Sequence, residues 1–563
     1  MKRHFIPDSF NVTTWDNLKP YYENLLNRNI TSTEELQQWL LDSSELSAVV
    51  SEDMAWRYIN MTCDTANDAL RDRFNDFVTN IEPHISPIAN DLNKKLMACS
   101  FTKELPQDTY GVYIRNIQKS IELFREKNIP LKTEMQQKEQ EFGAISGAQT
   151  ITWENEEITL QKASVHLKSL DRRVREKVYK LIADRRSKDE TALNELFDAL
   201  IQLRHQIALN ADFKNYRDYK HEELGRFDYI VNDCLNFHEA IKQHAVPLIR
   251  EHDKTRKAKL KLEDYRPWDT SVDEDGLEPL KPFSNGKELT EKTITCFNKI
   301  DPFFGDCIKT MDEMKRLDLE SRKGKSPGGY QYPLYETDVP FIFMNAVGLH
   351  RDLVTMVHEG GHAIHSFLCK DLPLVDFKSP PSEIAELASM SMELISMEHW
   401  HVFFENKEDL KRAKRQQLES VMDALPWIAA IDKFQHWIYE NPKHSAEERY
   451  ACWMSIMKDF GSDVINYEGL EANLKRRWQV QLHLFEVPFY YIEYGMAQLG
   501  AIAMWRNYKT NAKKTIDQYK AALSLGYTKP IPEVYKTAGI KFDFSPEYVK
   551  ELMDFVKSEY DGI

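Results

Sequence analysis

The chain contains 563 residues, of which 42% are hydrophobic and 29% charged, and its formal net charge is −15. This length exceeds the roughly 250–300 residues at which a single core stops growing, so the sequence predicts more than one lobe. The acidic charge argues against nonspecific binding to nucleic acid or anionic membranes, and no stretch reaches the ~18 apolar residues of a membrane-spanning helix.

The first 110 residues are predicted to form a helical N-terminal lobe. Apolar residues recur at helical spacing from about Ser32 to Phe124, and the segment Thr31–Glu35 has the composition of a helix start.

Residues 111–205 are predicted to form a helical segment that contains a β-hairpin near 150–160. Two β-prone runs, Thr150–Trp153 and Glu157–Leu160, flank a short polar turn. Helical patterns resume after the hairpin and dominate the C-terminal third. The remaining residues, 206–563, are therefore predicted to form one larger and mostly helical domain.

A glycine-containing loop, Gly324–Gly329, precedes a short apolar run, Val339–Ala346, that is predicted to be a strand. Pro340 lacks an N–H, so this strand is expected at the edge of a small sheet. An edge strand can bind an extended peptide through main-chain hydrogen bonds. A purely structural strand is the open alternative.

The strongest motif is His358-Glu359-Gly360-Gly361-His362, which lies in an apolar, helix-compatible run. Four residues turn a helix by about 400°, so His358 and His362 share one face and can reach one metal ion. Glu359 lies beside that face, free to accept a proton from water. The two glycines cost roughly 1 kcal/mol each relative to alanine. We therefore expect a close backbone neighbour there, with substrate or a strand as candidates.

A helix-forming segment after Pro380-Pro381 supplies candidates for a third ligand. Glu386 and Glu393 are two turns apart on one face, and a carboxylate buried there needs a partner such as a metal ion or a ligand histidine. Glu386 is the predicted ligand and Glu393 a candidate support for a histidine. Glu383 is a competing ligand that is expected to be more exposed. His365 is either a further support or an ordinary core histidine.

His483 and a group of tyrosines precede a helix rich in small residues. Hydrolysis of an amide passes through a tetrahedral oxyanion, which neutral donors such as Tyr O–H or His N–H stabilise by about 2.7–4 kcal/mol each. Aromatic-rich segments are more often core, so the residues alone leave both interpretations open.

Together these features resemble the thimet oligopeptidase and oligoendopeptidase F family of zinc metallopeptidases, most closely the oligoendopeptidase F branch. The shared motifs are Gly324–Gly329, Pro340–Asn345, His358–His365, Glu386 with Glu393, and Tyr490–Tyr494. The resemblance implies a mainly α, two-lobed zincin-type metallopeptidase with a deep central channel and a small β-sheet beside the active-site helix. Residues 206–563 would then be the catalytic metallopeptidase domain.

The resemblance also implies roles for individual residues. One zinc ion per chain would be held by His358, His362 and Glu386. Glu359 matches the general base that activates water. The residues that match contacts to the transition state are His483, Tyr494 and Tyr491, with Tyr490 competing for the place of Tyr491.

The predicted function is a zinc-dependent endopeptidase that hydrolyses internal bonds of short, unfolded oligopeptides. Its expected partners are peptides, with neither nucleic acid nor membrane, and the oligomeric state is left open. Seven scattered cysteines without a Cys-x-x-Cys pair indicate reduced thiols and a cytoplasmic location. The alternatives are a metal-dependent carboxypeptidase or other amidase, and a catalytically silent peptide-binding protein on the same fold.

Overall fold

The computed structural model describes residues 3–322, 324–326 and 328–563. The described chain is mainly helical with two small sheets, which confirms the predicted fold class. It forms two compact units, each assembled from separate stretches of sequence. The first unit comprises Met1–Phe124, Leu280–Lys414 and Ala497–Phe542, and the second comprises Arg125–Pro279, Arg415–Met496 and Asp543–Ile563. The domain boundaries predicted at residues 110 and 205 divide the chain into consecutive segments, and they remain predictions.

The first unit contains eleven complete helices and three strands among its described residues. Its helices are Trp15–Asn27, Thr33–Cys63, Asp68–Asp76, Glu82–Ala98, Gln107–Leu123, Gly286–Ile300, Pro302–Glu313, His350–Cys369, Ser382–Ser396, Ala512–Leu523 and Ile531–Thr537. Its strands are Leu317–Glu320, Tyr330–Tyr332 and Phe341–Ala346. We call His350–Cys369 the motif helix and Ser382–Ser396 the glutamate helix.

The second unit is also helical, and its one small sheet is the hairpin expected near residues 150–160. The hairpin strands Thr150–Trp153 and Glu156–Thr159 pair antiparallel. The helices are Ile129–Gly147, Leu160–Val165, Arg172–Ser187, Glu190–Asn210, Tyr216–Glu223, Val231–His244, Val246–Lys259, Ala446–Phe460, Glu471–Lys475, Leu482–Glu486 and Pro546–Asp561. The divisions at residues 414 and 496 fall inside two further helices, Lys407–Glu440 and Tyr491–Thr510.

The three-stranded sheet of the first unit has the order Leu317–Glu320, Phe341–Ala346, Tyr330–Tyr332. Phe341–Ala346 pairs parallel with the first strand and antiparallel with the last, so it is the central strand. The expectation of an edge position was wrong. Pro340 precedes the first strand residue, so its missing N–H removes no hydrogen bond from the ladder. Five of the six strand residues are buried, as a central strand requires.

The N-terminal helices and the sheet share a core within the first unit. Ala55 and Ile59, on the helix Thr33–Cys63, pack against Phe341 and Phe343 of the central strand. The sheet is therefore covered by residues far away in sequence. Among the described helices, none is both long and apolar enough to cross a membrane.

Candidate metal centre and catalytic residues

The motif helix begins at a defined turn ahead of the histidines. A carboxylate oxygen of Asp352 accepts hydrogen bonds from the backbone N–H groups of Val347 and Leu349, at 2.8 and 2.9 Å. The bond from Leu349, the N-cap residue, satisfies a donor that a helix N-terminus leaves without an intrahelical partner, and the bond from Val347 holds the preceding turn. Gly348 lies within this turn at φ +93°, a backbone conformation that favours glycine. The start of the helix, and with it the direction of His358, is fixed locally.

The two glycines of the motif are the points at which neighbouring helices approach. A Cβ atom on Gly361 would lie 2.6 Å from Cα of Ser389 and 2.8 Å from the carbonyl oxygen of Ala388. A Cβ atom on Gly360 would lie 2.8 Å from the ring of Phe297. The expected close backbone neighbour is thus found at Gly361, where it is the glutamate helix, whereas Gly360 meets a side chain. The expectation of a strand or substrate was wrong.

This close approach brings three ligand-type atoms together. The Nε2 atoms of His358 and His362 lie 3.4 and 3.7 Å from Oε2 of Glu386. These separations exceed ordinary hydrogen-bond lengths, and they are close to the ~3.4 Å that separates ligands about 2.0–2.1 Å from one tetrahedral ion. Two imidazoles and one carboxylate are donors that zinc accepts. The arrangement therefore fits a zinc ion.

The charges around the histidines also favour a cation. Burial opposes the charged form of His358, but the hydrogen bond to Glu393 and the charges of Glu386 and Glu393 raise its pKa to about 10. Burial and the charge of His358 lower the pKa of His362 far below its usual value. The carboxylates thus attract one positive charge to the histidines. A metal ion would replace the proton there, so metal binding is expected to release a proton.

Glu393 orients His358, as the sequence allowed. Its Oε1 lies 2.6 Å from Nδ1 of His358, which leaves Nε2 directed towards Glu386. Ser389 supports the other side of the site by donating a hydrogen bond from Oγ to Oε2 of Glu386 at 3.0 Å. Such contacts fix the tautomer and orientation of metal ligands.

Replacing Glu393 by alanine is expected to weaken zinc binding by about 10- to 100-fold, the usual cost of removing a group that orients a ligand. Glu393→Gln retains a hydrogen-bonding oxygen and is expected to lose less. Competition against a zinc-binding dye measures both constants. Unchanged affinity in Glu393→Ala would show that the histidine needs no such support.

Glu359 is buried next to the candidate ligands but does not belong to their group. Burial raises the pKa of its carboxyl group to about 7, partly offset by His358 and by a hydrogen bond from the backbone of Gln331. Gln331 belongs to the edge strand Tyr330–Tyr332, and its side chain donates to Oγ of Ser366 on the motif helix at 3.0 Å. A carboxylate with a pKa close to neutrality is suited to accept and return a proton.

Glu383 and His365, the two other candidates for the metal site, do not belong to the group of ligand-type atoms. Glu383 is only 1% exposed, so the expectation of an exposed acid at the helix start was wrong. The described group of ligand atoms that could hold an ion here consists of His358, His362 and Glu386, without Glu383. His365 hydrogen-bonds the backbone of Leu523, and burial lowers its pKa to about 4. These contacts favour a neutral core histidine.

The predicted transition-state residues lie in the second unit, grouped around His483. The centroid of its ring is 4.7 Å from that of Tyr491, 5.9 Å from Tyr494 and 6.1 Å from Tyr490. Burial lowers the pKa of His483 to about 4, so the ring is neutral. Nε2 of Gln481 lies 2.7 Å from Nδ1 of His483. An amide nitrogen can only donate, so Nδ1 accepts and the ring proton lies on Nε2.

Tyr491 contacts the residues that orient His483. Burial raises the pKa of Tyr491 to about 12, and hydrogen bonds with Gln481 and Trp427 offset part of this rise. Nε1 of Trp427 also donates to Oε1 of Gln481 at 2.8 Å. His483 and Tyr491 are therefore neutral groups that keep their protons, as donors to an oxyanion must.

Comparisons with known proteins fit this arrangement. The model of "Peptidase family M3" matches residues 165–554, and that of "Peptidase M3 N-terminal domain" matches residues 5–124. The chain belongs to peptidase family M3. The M3 match includes every predicted ligand and catalytic residue, and the resemblance to the oligoendopeptidase F branch is confirmed.

The M3 relatives are distant in sequence. An oligoendopeptidase F homolog of Lactococcus lactis subsp. lactis is 26% identical over 57% of this chain and 52% of its own length. Oligopeptidase PepF of Bacillus subtilis is 22% identical over 62% of this chain and 52% of its own length. The chain thus spans about half the length of the curated relatives it matches.

Solved structures extend the likeness in fold over nearly the whole chain. PZ peptidase A with inhibitor 2 superposes with a TM-score of 0.91 at 24% identity, covering 100% of this chain and 99% of its own. Oligoendopeptidase-F from Enterococcus faecium reaches a TM-score of 0.66 at 16% identity, covering 97% of each chain. At these identities the likeness shows the M3 fold alone.

The sequence did not reveal how the segment Tyr490–Tyr494 of this M3 peptidase is held in place. Phe489 has φ +67°, an uncommon conformation for a bulky residue. Its N–H donates to Oε1 of Gln435 at 2.6 Å, and its carbonyl oxygen accepts from the guanidinium of Arg226. The same guanidinium donates to Glu493 at 2.7 Å. Two buried side chains thus fix the turn that leads into helix Tyr491–Thr510.

A second group of ligand-type atoms lies near this turn. Cys234, Asp432 and His436 are buried together in the second unit. Oδ2 of Asp432 lies 2.7 Å from Nε2 of His238 and 3.1 Å from Nε2 of His436, which are hydrogen-bond lengths. His436 packs edge-on against Phe489. We interpret this group as a hydrogen-bonded support of the turn.

Proposed function

We propose that this protein is a zinc-dependent endopeptidase that cleaves internal bonds of short, unfolded oligopeptides. The observation that carries the proposal is the convergence of His358, His362 and Glu386 beside a buried carboxylate, Glu359, that is not a ligand. This is the division of labour that metal-assisted hydrolysis needs. The names of the M3 relatives, oligoendopeptidase F and oligopeptidase, support the same substrate class.

The residues of the first unit would bind the ion and move the proton. His358, His362 and Glu386 hold one zinc ion, which when bound supplies a Lewis acid and lowers the pKa of water towards 7. Glu359 accepts a proton from the attacking water and returns it to the amine that leaves. The hydrogen bond from Gln331 keeps the Glu359 carboxylate in place.

The aromatic residues around His483 would stabilise the oxyanion. We assign this role to His483 and Tyr494, with Tyr491 as a further donor and Tyr490 as its competitor. The protonated Nε2 of His483 is a suitable donor because its neutral ring keeps the proton throughout. Each such donor contributes about 2.7–4 kcal/mol to stabilising the transition state.

The main chain of the peptide would pair with the strand Tyr330–Tyr332. This strand is at one edge of its sheet, and the backbone of its central residue, Gln331, bonds Glu359. Main-chain pairing binds peptides with little dependence on their side chains. The peptide-binding role first considered for Val339–Ala346 thus passes to a neighbouring strand. A cytoplasmic location, in line with seven cysteines that form no disulfide, belongs to the same proposal.

Cleavage of a peptide length series tests the proposal. Peptides blocked at both ends and lengthened in steps are incubated with the protein, with and without a chelator, and the products are identified by mass spectrometry. We expect cleavage at internal bonds of short peptides, little cleavage of folded proteins, loss of activity with the chelator and recovery with added zinc. Cleavage restricted to peptides with a free carboxyl terminus would indicate a carboxypeptidase. A lack of bound metal and of cleavage would indicate a peptide-binding protein.

A further inference from the structure

A cavity of about 460 Å³ lies within the second unit. This volume falls in the range of about 300–1,000 Å³ that is usual for ligand sites. Its lining includes Arg186, Arg476 and Arg477, and no acidic side chain among the described residues that form it. The protein as a whole carries a net charge of −15. A purely cationic cavity is therefore a local exception that calls for an explanation.

Two of the three arginines have no anionic partner in the described chain. Arg476 is paired with Glu190 at 3.2 Å and also donates to Asn473. Arg186 makes neither an ion pair nor a side-chain hydrogen bond, and Arg477 stacks on the ring of Trp427 at 4.6 Å without one. Guanidinium groups stay charged at physiological pH. Two solvent-exposed arginines thus line the cavity without a carboxylate partner among the described residues.

Arg186 lies on the cavity wall, exposed to solvent but close to other groups. It belongs to the last turn of helix Arg172–Ser187. Surrounding protein lowers the pKa of its guanidinium, the charge of Arg477 adds to this effect, and Tyr179 opposes it. The preceding residue, Arg185, pairs instead with Asp189 at 2.7 Å. Arg186 and Arg477 are therefore close enough to repel each other, and an anion between them would relieve the repulsion.

The rest of the lining suits a peptide better than an inorganic anion. Phe142, Ile182 and Leu193 offer apolar surface. The amide groups of Gln149 and Asn473, which also bond Asp189 and Arg476, have a second polar atom that can bond a main chain. A planar carboxylate also matches the paired N–H groups of a guanidinium. The lining thus provides for an anionic group, apolar side chains and a polypeptide backbone.

One wall of the cavity leads to His483. Trp427, on which Arg477 stacks, donates to Gln481, and Gln481 orients the ring of His483. Leu482, next to His483, lines the cavity itself. A ligand held by Arg477 would therefore lie next to the segment to which we assign transition-state stabilisation.

We propose that this cavity binds a carboxylate group of the peptide through Arg186 and Arg477. The inference rests on the proposed function, since it takes the ligand to be a peptide. The carboxylate is either the C-terminus or the side chain of an aspartate or glutamate. Binding this carboxylate would anchor the peptide, so that the bond to be cleaved lies at a fixed distance from it. It would also favour substrates that carry such a group.

The test compares three N-acetylated peptides of the same length. The first has a free C-terminus and no acidic side chain, the second is its C-terminal amide, and the third is the amide with one glutamate. Binding to full-length protein carrying Glu359→Gln is measured by calorimetry, so that no turnover occurs. At least one carboxylate-bearing peptide should bind about tenfold or more tightly than the neutral amide.

Arg186→Gln should abolish that preference and leave binding of the neutral amide unchanged. Arg477→Gln should act in the same direction. The matched control is Arg173→Gln, on the same helix, whose side chain is 91% exposed and should have no effect. If Arg186→Gln weakens binding of the free acid alone or of the glutamate peptide alone, the result supports the proposal. It also identifies the source of the carboxylate.

Equal affinities of all three peptides for the unchanged cavity would overturn the inference, as would equal losses for all three in Arg186→Gln. Cleavage by the wild-type protein is measured separately. Absence of cleavage would contradict the proposed endopeptidase function and leave the binding comparison interpretable. Cleavage without a carboxylate preference would leave that function intact and remove the role of the cavity.

Discussion

Replacing Glu359 by glutamine is expected to abolish peptide cleavage while zinc stays bound. Glutamine has the same size and can still accept the hydrogen bond from Gln331, but it cannot take a proton from water. General-base catalysis contributes about 10²- to 10⁴-fold, so kcat/KM should fall by at least that factor. The metal content should stay at one zinc per chain, because Glu359 is outside the ligand set.

Steady-state kinetics with a blocked peptide and metal analysis of the same sample measure the two effects. The control is Glu313→Gln, which removes one negative charge from a residue of the first unit whose side chain is 67% exposed. Full activity of Glu359→Gln would exclude this residue as the base. Loss of both zinc and activity would instead indicate that Glu359 helps to bind the metal.

Replacing Gly361 by alanine is expected to destabilise the first unit and to remove zinc. In an open helix this change would stabilise the protein by about 1 kcal/mol, because alanine has the higher helix propensity. Here the added methyl group would meet backbone atoms of Ser389 and Ala388 at 2.6 and 2.8 Å. Backbone cannot turn aside as a side chain can, so the motif helix and the glutamate helix must separate. Overpacking of this kind costs about 1–3 kcal/mol.

The loss of zinc follows from the same movement. Glu386 precedes Ser389 by less than one turn, so a shift of the glutamate helix displaces its carboxylate from His358 and His362. Denaturant unfolding and a zinc-binding assay measure the two effects. Gly143→Ala is the matched control, because this helical glycine has open space around its Cβ position and should gain stability. A Gly361→Ala variant that gains stability and keeps its zinc would contradict the packing argument.

The grouping of the three candidate ligands follows in part from spacing along the chain. His358 and His362 are one turn apart, so any regular helix brings them to one face. Assigning Glu386 required only that the second segment be helical and buried. Its distance from the histidines depends on how two helices cross, which spacing along one helix does not encode. The two glycines were recognisable in the sequence as unusual, but the element that packs closely against them was not.

The errors concern properties that arise only from tertiary structure. Strand order decided that Phe341–Ala346 is central, and Pro340, just outside the strand, gave a misleading signal. Glu383 is buried because other elements cover the start of its helix, although acids in a first turn are usually solvated. Arg226 and Gln435 went unnoticed because their common target, Phe489, has an uncommon backbone conformation with no mark in its residue type.

The packing of helix Thr33–Cys63 against the sheet bears on how such a protein can change during evolution. The two matched M3 segments, 5–124 and 165–554, can look like separable modules. Yet Ala55 and Ile59 cover Phe341 and Phe343 on the strand that leads towards the motif helix. Deletion of the N-terminal segment would expose this apolar surface, so we expect the remaining chain to lose stability.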